Sequence, residues 1–520
     1  MENSSNGPIV KMMKYTAFIL LFILPVIAGC QDVSKNRIVV SVKRNYKVPA
    51  TEDARLVFSW PELLKRNPSL KVSNLAVLDQ HFGKTLAATI NDANADGKPE
   101  SVVVDYKFLS NEPVFAFMIT SNGKKGAPVS AESITADSRF EIEYLIPYSS
   151  NSKESFSDKI VQSTIHTYPD TKDLSIISPG KWTYEYGFFL NATFKLYQQN
   201  KNEKYLSYAK SWVDNFISDE GKFRDGAYDV TEYRLDDILP GRLCIYLYQQ
   251  TGEKKYKAVA DQFIQHLTQQ PKTSDGGYWH KQIYPNQMWL DGIYMGDIFS
   301  TQYAAAFNEP KWFDEAVNQI NLIYKHTKDP ATGLLFHGWD ESKNKIWADQ
   351  TTGASPELWS RGIGWYAMAL IECLDYLPAN HPQRKSVEVI FQNVCKSILK
   401  FQDKKSGLWY QIINKGNLAD NWIETSASAM FTYAFAKGNA KGLLDKSYKE
   451  AAVKGFNSIL ANYIYTDAGN FVHLDQAVKV GTLNFKNSKG DYPYYIACER
   501  RLDDYKGLAA LLYTSIELGR

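Results

Sequence analysis

Cysteine and histidine are scarce in this sequence. The chain has 520 residues but only five cysteines and eight histidines. Four of the cysteines stand far apart in apolar, helix-like stretches, which predicts buried thiols: Cys244, Cys373, Cys395 and Cys498. Neither residue type forms a group with the spacing of a metal-ligand set. We therefore expect no resident metal and no cofactor.

An excess of charge of one sign is also lacking. The 59 Lys and Arg residues nearly balance the 57 Asp and Glu residues, and no basic block occurs. This balance argues against a nucleic-acid partner. Hydrophobic residues make up 44% of the chain and charged residues 22%, as in ordinary globular proteins, so most of the chain is expected to fold. The 14% of aromatic residues suits either a thick core or a carbohydrate-binding surface.

The apolar run at residues 15–29 is too short for a comfortable membrane span. It follows Lys11 and Lys14 and ends in Val26-Ile27-Ala28-Gly29-Cys30, a pattern typical of a secretory signal. Its end resembles the lipobox of bacterial lipoproteins, which implies cleavage before Cys30 and lipidation of that residue. The alternative is a plain signal peptide with an incidental cysteine.

These features predict a signal peptide with a lipobox at residues 1–30 and a tether at residues 31–36. The mature protein is then expected to be secreted across the inner membrane. It would be lipid-anchored through Cys30 in the bacterial cell envelope, either in the periplasm or at the outer-membrane surface.

Residues 37–146 have the pattern of a small accessory β-domain. Alternating or β-branched stretches at 37–43, 101–108 and 113–119 are separated by turn residues, which predicts a β-sandwich. Within this region, Asp92-Ala93-Asn94-Ala95-Asp96-Gly97 resembles the opening of a calcium loop, but the last position of such a loop, where glutamate is expected, is Val103. We therefore favour a polar turn between two strands.

Helical periodicity begins near residue 181, after a polar and irregular stretch at 147–180 that predicts a linker. Apolar residues recur at three- and four-residue spacing at 182–199, 203–218, 236–250, 254–269, 289–307, 311–325, 357–377, 383–402, 423–437, 446–463 and 503–518. Helix pairs recur about every 50–70 residues, with Gly-rich aromatic loops between them. This repeat predicts that residues 181–520 form an all-α domain, an (α/α)6 barrel with its motifs around one rim. An open solenoid is the alternative.

The string from His280 to Asp291 combines an acid with aromatic neighbours. Asp291 follows Trp289 at the start of an apolar helix, and His280 lies eleven residues upstream in an aromatic loop. Apolar surroundings disfavour the charged form of a carboxyl group, so an acid placed there can keep its proton and act as a general acid. Considered alone, Asp291 is equally explained as a first-turn carboxylate that favours the helix dipole.

Four strings match one enzyme family in order and spacing. They are Leu235-Asp236-Asp237, Trp289-Leu290-Asp291-Gly292, His337-Gly338-Trp339-Asp340, and Trp359-Ser360-Arg361-Gly362 with Trp365. On these strings, residues 165–520 resemble glycoside hydrolase family 105, the unsaturated rhamnogalacturonyl hydrolases, and its close relative family 88. More loosely, the β-domain resembles the accessory domains found ahead of bacterial pectin-related hydrolases.

The resemblance implies a substrate and a reaction. The substrate is an oligosaccharide from rhamnogalacturonan or a related glycan, with a 4,5-unsaturated uronic acid that a lyase has left at its non-reducing end. The C4=C5 double bond is hydrated and the uronic acid is released. Because the alkene is protonated directly, one protonated acid suffices, and the reaction requires neither a metal nor a covalent nucleophile.

Carried over to this chain, the resemblance implies a role for individual residues. Asp291 matches the general acid/base, and Asp236 matches a second acid that positions the sugar hydroxyls. The matching substrate-contacting positions are His280, Trp289, His337, Arg361 and Trp365. The string Tyr492-Pro493-Tyr494-Tyr495 also resembles a family loop near the site, without a defined role.

Structural alternatives exist for several of these residues. Either Asp236 or Asp237 could cap a helix. Arg361 could pair with Glu357 one helical turn earlier. The two tryptophans could be core aromatics of the barrel.

Two other classes of function fit the sequence. A polysaccharide lyase or epimerase on the same scaffold would use a Tyr or His base, and a lyase creates the double bond that hydration removes. A non-catalytic, surface glycan-binding lipoprotein fits the signal sequence and the tryptophan content equally well.

Overall fold

The structure is a computed structural model that describes residues 37–44, 51–109, 112, 114–121, 127–131, 134, 136–149, 154–174, 181–224, 226–484 and 488–520. The predicted signal peptide, Cys30 and the tether lie outside the described residues. A β-rich region comes first in the chain and a helical region follows.

The β-rich region contains several strands and one short helix. Its elements are β1 (Arg37–Arg44), β2 (Glu52–Ser59), α1 (Trp60–Arg66), β3 (Ala76–Asp79), β4 (Lys84–Leu86), β5 (Thr89–Asn91), β6 (Ser101–Phe108), β7 (Val114–Thr120), β8 (Val129–Ser130) and β9 (Phe140–Pro147). One sheet has the order β2-β6-β5-β8, and a second contains β9-β1-β7-β3-β4. All three stretches predicted as strands in this region are therefore confirmed.

The two sheets share one apolar core. Alternate side chains of β1, such as Val40, and of β7, such as Phe117, belong to the same buried cluster as Leu56 of β2 and Val104 of β6. Period-two alternation places these residues on one face of each strand, because successive side chains of a strand point to opposite faces.

The helical region begins earlier than the sequence pattern indicated. It contains α2 (Phe156–Thr167), α3 (Tyr184–Asn200), α4 (Glu203–Asp214), α5 (Gly241–Thr251), α6 (Lys254–Gln269), β10 (Gln287–Trp289), α7 (Leu290–Gly292), a π-helical turn (Ile293–Asp297), α8 (Ile298–Phe307), α9 (Lys311–Thr327), β11 (Gly338–Asp340), α10 (Ser360–Tyr376), α11 (Arg384–Lys400), α12 (Thr425–Ala440), α13 (Lys446–Tyr463), β12 (Ile464–Thr466), β13 (Val472–Leu474), β14 (Ala477–Val478), α14 (Tyr492–Ile496), β15 (Arg500–Arg501) and α15 (Tyr505–Leu518). Every stretch predicted as a helix contains one.

Two sets of helices alternate along the chain. Helices α3, α5, α8, α10, α12 and α15 pack against one another in that order, and α15 also packs against α3. Helices α4, α6, α9, α11 and α13 each pack on the member of the first set that precedes them, and α2 packs on α15. We refer to the first set as the inner helices.

Helix α2 contradicts the prediction of an irregular linker at 147–180. Ser155 caps the helix by accepting a hydrogen bond from the Asp158 amide, and Phe156, Ile160 and Ile165 are buried in the core of the helical region. Polar residues between them, such as Lys159 and Thr164, are buried as well, so the helix does not have a single apolar face. The apolar spacing of the sequence therefore did not indicate a helix here.

A strand from the helical region extends the N-terminal sheet. β12 pairs antiparallel with β9, with Tyr465 opposite Pro147 and Thr466 opposite Ile146, and β13 follows at the edge. The two regions are therefore joined by main-chain hydrogen bonds as well as by side-chain packing.

Residues 92–97 form a polar turn between β5 and β6, the alternative that the sequence favoured. Asp92 accepts hydrogen bonds from the amides of Asp96 and Gly97, and Asn94 accepts another from Asp96. Such turns satisfy backbone donors locally.

The four cysteines expected to be buried are buried and free. Among the described residues, no helix is both long and apolar enough to cross a membrane.

A buried ion pair links the inner helices. Arg242 of α5 lies 2.9 Å from Glu372 of α10 and donates to Gln302 of α8, while the Tyr294 hydroxyl donates to Glu372. Both charged side chains are almost fully buried. Removing one partner leaves the other charge in the core without compensation.

Glu372→Ala is expected to lower the free energy of unfolding by about 3–5 kcal/mol, because Arg242 would remain buried without its carboxylate. Urea denaturation of the two proteins measures the difference. Glu450→Ala, which removes an exposed pair with Lys446, is the control and should change little. A Glu372→Ala protein as stable as the control would contradict the role assigned to the pair.

Candidate active site

The loops that precede the inner helices meet side by side at one end of the helical region. Backbone hydrogen bonds run from Leu235 N to His280 O (3.1 Å) and from Leu290 N to His337 O (3.0 Å). β10 pairs with β11, so that Trp289 lies opposite Gly338. These contacts place four loop segments next to one another, those that contain Leu235, His280, Trp289 and His337.

Asp291 forms a hydrogen-bonded chain with a histidine and a tyrosine. Its Oδ2 atom lies 3.0 Å from His337 Nε2, and His337 Nδ1 lies 2.6 Å from the Tyr495 hydroxyl. Burial raises the pKa of Tyr495 well above its ordinary value, so its hydroxyl keeps a proton to donate to Nδ1. With Tyr495 as the donor to Nδ1, Nε2 carries a ring proton and donates to Asp291.

Asp236 has a different environment from Asp291. Its Oδ2 atom lies 2.6 Å from Lys281 Nζ, and its Oδ1 atom lies 3.4 Å from His280 Nε2. Burial opposes ionisation, but the charges of Lys281 and His280 outweigh it and hold the pKa of Asp236 well below its ordinary value. Asp236 is therefore a carboxylate at neutral pH.

Asp237 faces away from this pair. It lies 3.7 Å from Arg234, and burial raises its pKa to about 7 despite that guanidinium. Neither carboxylate caps the 3₁₀ turn Leu235–Asp237, which has no side-chain capping hydrogen bond. Of the two neighbouring acids, Asp236 is the one that meets His280.

Three aromatic rings stack beside the acids. Trp289 is parallel to both His280 and Tyr284, with ring centroids 4.8 Å apart in each case, and those two rings lie 6.3 Å from each other. Gly292 lies against the edge of His280, where an added Cβ would stand 3.3 Å from Nδ1. The stack therefore joins the Asp236 side of the site to the Asp291 side.

Two predicted substrate contacts lie in the core instead. The Arg361 guanidinium is 1% exposed and donates to Ser426 Oγ and to the Val478 carbonyl. Trp365 is equally buried, against Phe188 and Tyr294. Neither side chain reaches the surface of the site.

The alternative pairing of Arg361 with Glu357 is also wrong. Glu357 pairs with Lys415 at 2.6 Å. Arg361 instead lies 3.7 Å from Glu424 and 3.8 Å from Asp504, the residues that cap α12 and α15.

Sequence reasoning missed four residues of the site. Lys281 directly follows a predicted contact, and Tyr284 is in the same aromatic loop, so both signals were present. Tyr495 is in the late tyrosine string, whose role sequence could not define. Tyr184 is the first residue of the first inner helix, α3, is half-buried, and is subject to the charges of Asp236 and Arg361.

The described residues contain no group of three or more His, Cys, Asp or Glu side chains arranged to hold a metal ion. The site that they do form consists of one ionised acid, one acid bonded to a histidine, and a wall of aromatic rings.

These features define an enzyme that acts on a carbohydrate from a helical scaffold. Residues 156–520 match the model of Glycosyl Hydrolase Family 88, and the chain belongs to this family. The resemblance to the family inferred from the sequence is thereby confirmed, while the β-rich region, β1–β9, lies outside the match.

Similar proteins agree with this assignment. A family 105 glycoside hydrolase of C. acetobutylicum ATCC 824 is 34% identical, with a TM-score of 0.67, and covers 70% of this chain and 99% of its own. Protein Atu3128 of Agrobacterium fabrum is 33% identical over 232 residues, which is 43% of this chain and 97% of the relative. The unsaturated rhamnogalacturonyl hydrolase YesR of Bacillus subtilis is 23% identical over 316 residues, which is 59% of this chain and 82% of the relative.

Lys281→Met is expected to destabilise the protein at pH 7, because Asp236 would remain ionised and buried without its ammonium partner. The pKa of Asp236 would rise in the variant, so acidification would neutralise it there first. In the wild type, the lowered pKa of Asp236 stabilises the fold above the unfolded value of about 4, and this contribution is lost only below it.

The stability difference between the two proteins should therefore shrink as the pH falls from 7 towards about 4. Urea denaturation across this range measures it, with Lys281→Arg as the charge-preserving control. A difference that does not change with pH would show that Asp236 does not depend on Lys281.

Proposed function

We propose that this protein removes a 4,5-unsaturated uronic acid from the non-reducing end of lyase-generated oligosaccharides by hydrating the C4=C5 double bond. The observation that carries the proposal is the division of roles between two acids at one aromatic site. Asp236 is ionised, and Asp291 is bonded to His337 at one oxygen only.

Asp291 is the group that delivers the proton. Its Oδ2 atom accepts the hydrogen bond of His337, which leaves Oδ1 to carry the proton to C4. The ring oxygen of the enol ether supplies the electron pair. Water then adds at C5 and gives one proton to Asp291, which became a carboxylate when it protonated C4. The resulting hemiketal opens, and the rest of the oligosaccharide is released.

Asp236 binds the substrate and does not donate the proton. A carboxylate whose pKa is held low is a poor acid but a strong hydrogen-bond acceptor, so Asp236 suits sugar hydroxyl groups. The stacked rings of His280, Trp289 and Tyr284 offer an apolar surface to a sugar face. Lys281 and the amino ends of the inner helices supply positive potential for the uronate carboxylate.

In this proposal Arg361 and Trp365 do not contact the substrate, and both side chains lie in the core next to the site. Both remain necessary to the shape of the site, because they fix the ends of the inner helices and the ring of Tyr184.

A polysaccharide lyase is the second candidate, since Tyr495 and His337 are the residue types that lyases use as a base. The raised pKa of Tyr495 argues against it, because a lyase tyrosine must lose its proton. A glycan-binding protein without catalysis would not need an acid bonded to a histidine that a buried tyrosine orients.

Asp291→Asn is expected to lower kcat about 10²–10⁴-fold while substrate binding is retained, because the amide cannot donate the acid proton. The measurement is the loss of ultraviolet absorbance of the conjugated enol-ether carboxylate, with oligosaccharides from several pectin and glucuronate lyases as substrates.

Asp297→Asn is the matched control. Asp297 lies on the same helical stretch, and burial raises its pKa well above the ordinary value. Burial therefore favours the neutral form of its carboxyl group, and an amide of the same shape should preserve activity. An absorbance rise on intact polymer would identify a lyase. Binding without any absorbance change would identify a glycan-binding protein.

The architecture also has a proposed form. The packing of α15 on both α12 and α3 supports a closed (α/α)6 barrel over an open solenoid. The core shared by the two N-terminal sheets supports a β-sandwich. Parent polysaccharides containing rhamnogalacturonan fit the family, as do other glycans with uronate neighbours.

The protein is further proposed to be a lipoprotein anchored through Cys30 in the bacterial cell envelope, which rests on the lipobox-like string at its amino end. Such an anchor would hold the enzyme where lyase products arise.

Cys30→Ala is expected to move the protein from the membrane fraction to the soluble fraction of cells, because the acylated thiol would be lost. Labelling with a radioactive fatty acid and fractionation measure the change, with Cys244→Ala as the control. Equal labelling of the wild type and Cys30→Ala would rule out the anchor.

A further inference from the structure

A stretch of the helical region lies between the β-rich region and the candidate active site. It comprises residues 476–484 and 488–504, which we call the rim segment. It contains β14, α14 and β15, and its residue Tyr495 donates to His337. On its other side it contacts the turn that follows β3.

The contacts with this turn are polar and specific. His81 Nε2 bonds to Glu499 Oε1, and the Arg500 amide donates to the His81 carbonyl (2.8 Å). Gln476 bonds to Gln80. The turn therefore contacts both ends of the rim segment.

Glu499 is held in its charged form at this junction. Burial opposes ionisation, but His81 and Lys479 outweigh it and lower the pKa of Glu499 to about 2. Lys479 in turn lies 2.9 Å from Glu112 of the β-rich region, which also lies 2.9 Å from Arg501. Partly buried charges that satisfy each other in this way fix the geometry of the segments that carry them.

The turn is held by contacts with the strands around it. Asp79 accepts the amide of His81 and the hydroxyl of Tyr106 on β6. Gly83 has a left-handed backbone (φ +66°), and the Arg500 guanidinium lies where a Cβ would stand. The rim segment thus packs on a turn whose backbone is held by hydrogen bonds within the β-rich region.

From the rim segment the contacts continue to the reacting acid. Tyr495 stacks on Trp359, and its carbonyl accepts from Gln411, so the ring has a fixed orientation. Its hydroxyl fixes the tautomer of His337, and His337 fixes Asp291. An error of about 1 Å in the position of a catalytic group can cost about a hundredfold in rate.

We propose that the β-rich region is a positioning element of the active site: His81 holds the rim segment, and Tyr495 on that segment orients Asp291 through His337. The inference rests on the function proposed above. His81 and Tyr495 are positioning residues, because neither is required to touch substrate.

The test compares His81→Leu, Tyr495→Phe and the double variant. Each single change should lower kcat about tenfold to a hundredfold and change KM little. The double variant should be no slower than the slower single variant, because both changes interrupt the same path. Rate losses that multiply would overturn the path from His81 to Tyr495.

Two further variants separate positioning from general damage. His81→Gln, whose amide can donate to Glu499, should restore kcat. Glu143→Ala removes a different contact between the two regions, the bond to the Ala468 amide, and should leave kcat unchanged. Failure of His81→Gln to restore kcat, or an equal loss in Glu143→Ala, would contradict the proposal.

Two readouts do not depend on turnover. Hydrogen–deuterium exchange of peptides from residues 476–484 and 488–504 should rise in His81→Leu and stay unchanged in Glu143→Ala. The nitrogen NMR shifts of the His337 ring, assigned with His337→Gln, should change in both His81→Leu and Tyr495→Phe. Unchanged exchange or unchanged ring shifts in His81→Leu would overturn the inference. A wild type that consumes no unsaturated uronide would instead overturn the proposed function, while these two readouts would still decide whether the β-rich region orients His337.

Discussion

The buried guanidinium of Arg361 is the constraint on which the active-site end of the helical region depends. It bonds to Ser426 and to the Val478 carbonyl, and it lies within 3.8 Å of the carboxylates of Glu424 and Asp504. Each carboxylate caps an inner helix. Because a buried charge without a partner costs several kcal/mol, these groups hold one another in place, and the loops above them start from fixed points.

On that base, short backbone contacts bring distant motifs together. The pairing of β10 with β11 aligns Trp289 with Gly338 and so places Asp291 next to His337. The bond from Leu235 to His280 does the same for Asp236. The π-helical turn that follows Asp291 is a further irregularity of the kind that often marks functional sites. The positions of the two acids therefore depend on backbone contacts between loops as well as on the helices.

Prediction from sequence succeeded where a periodic pattern determines the structure. The eleven helical stretches follow from apolar spacing, and the structure brings Asp291 next to His337 and Asp236 next to His280. Prediction was weaker where burial determines the orientation of a side chain, because a motif does not show whether Arg361 points to the sugar or to the core. Tyr495 contacts His337 across 158 residues, and no local signal encodes such a contact. Helix α2 was missed because several of its buried residues are polar, so apolar residues alone do not mark its buried face.

The pairing of β9 with β12 has a consequence for how the chain folds. The Thr466 hydroxyl meets the Ile146 carbonyl across 320 residues of sequence. At synthesis rates of about 5–20 residues per second, β9 waits about 15–60 s for its partner to emerge. During that interval its outer edge has unpaired backbone groups, which are a template for association with other chains. This edge of β9 is covered only when β12, which lies in about the last ninth of the chain, becomes available.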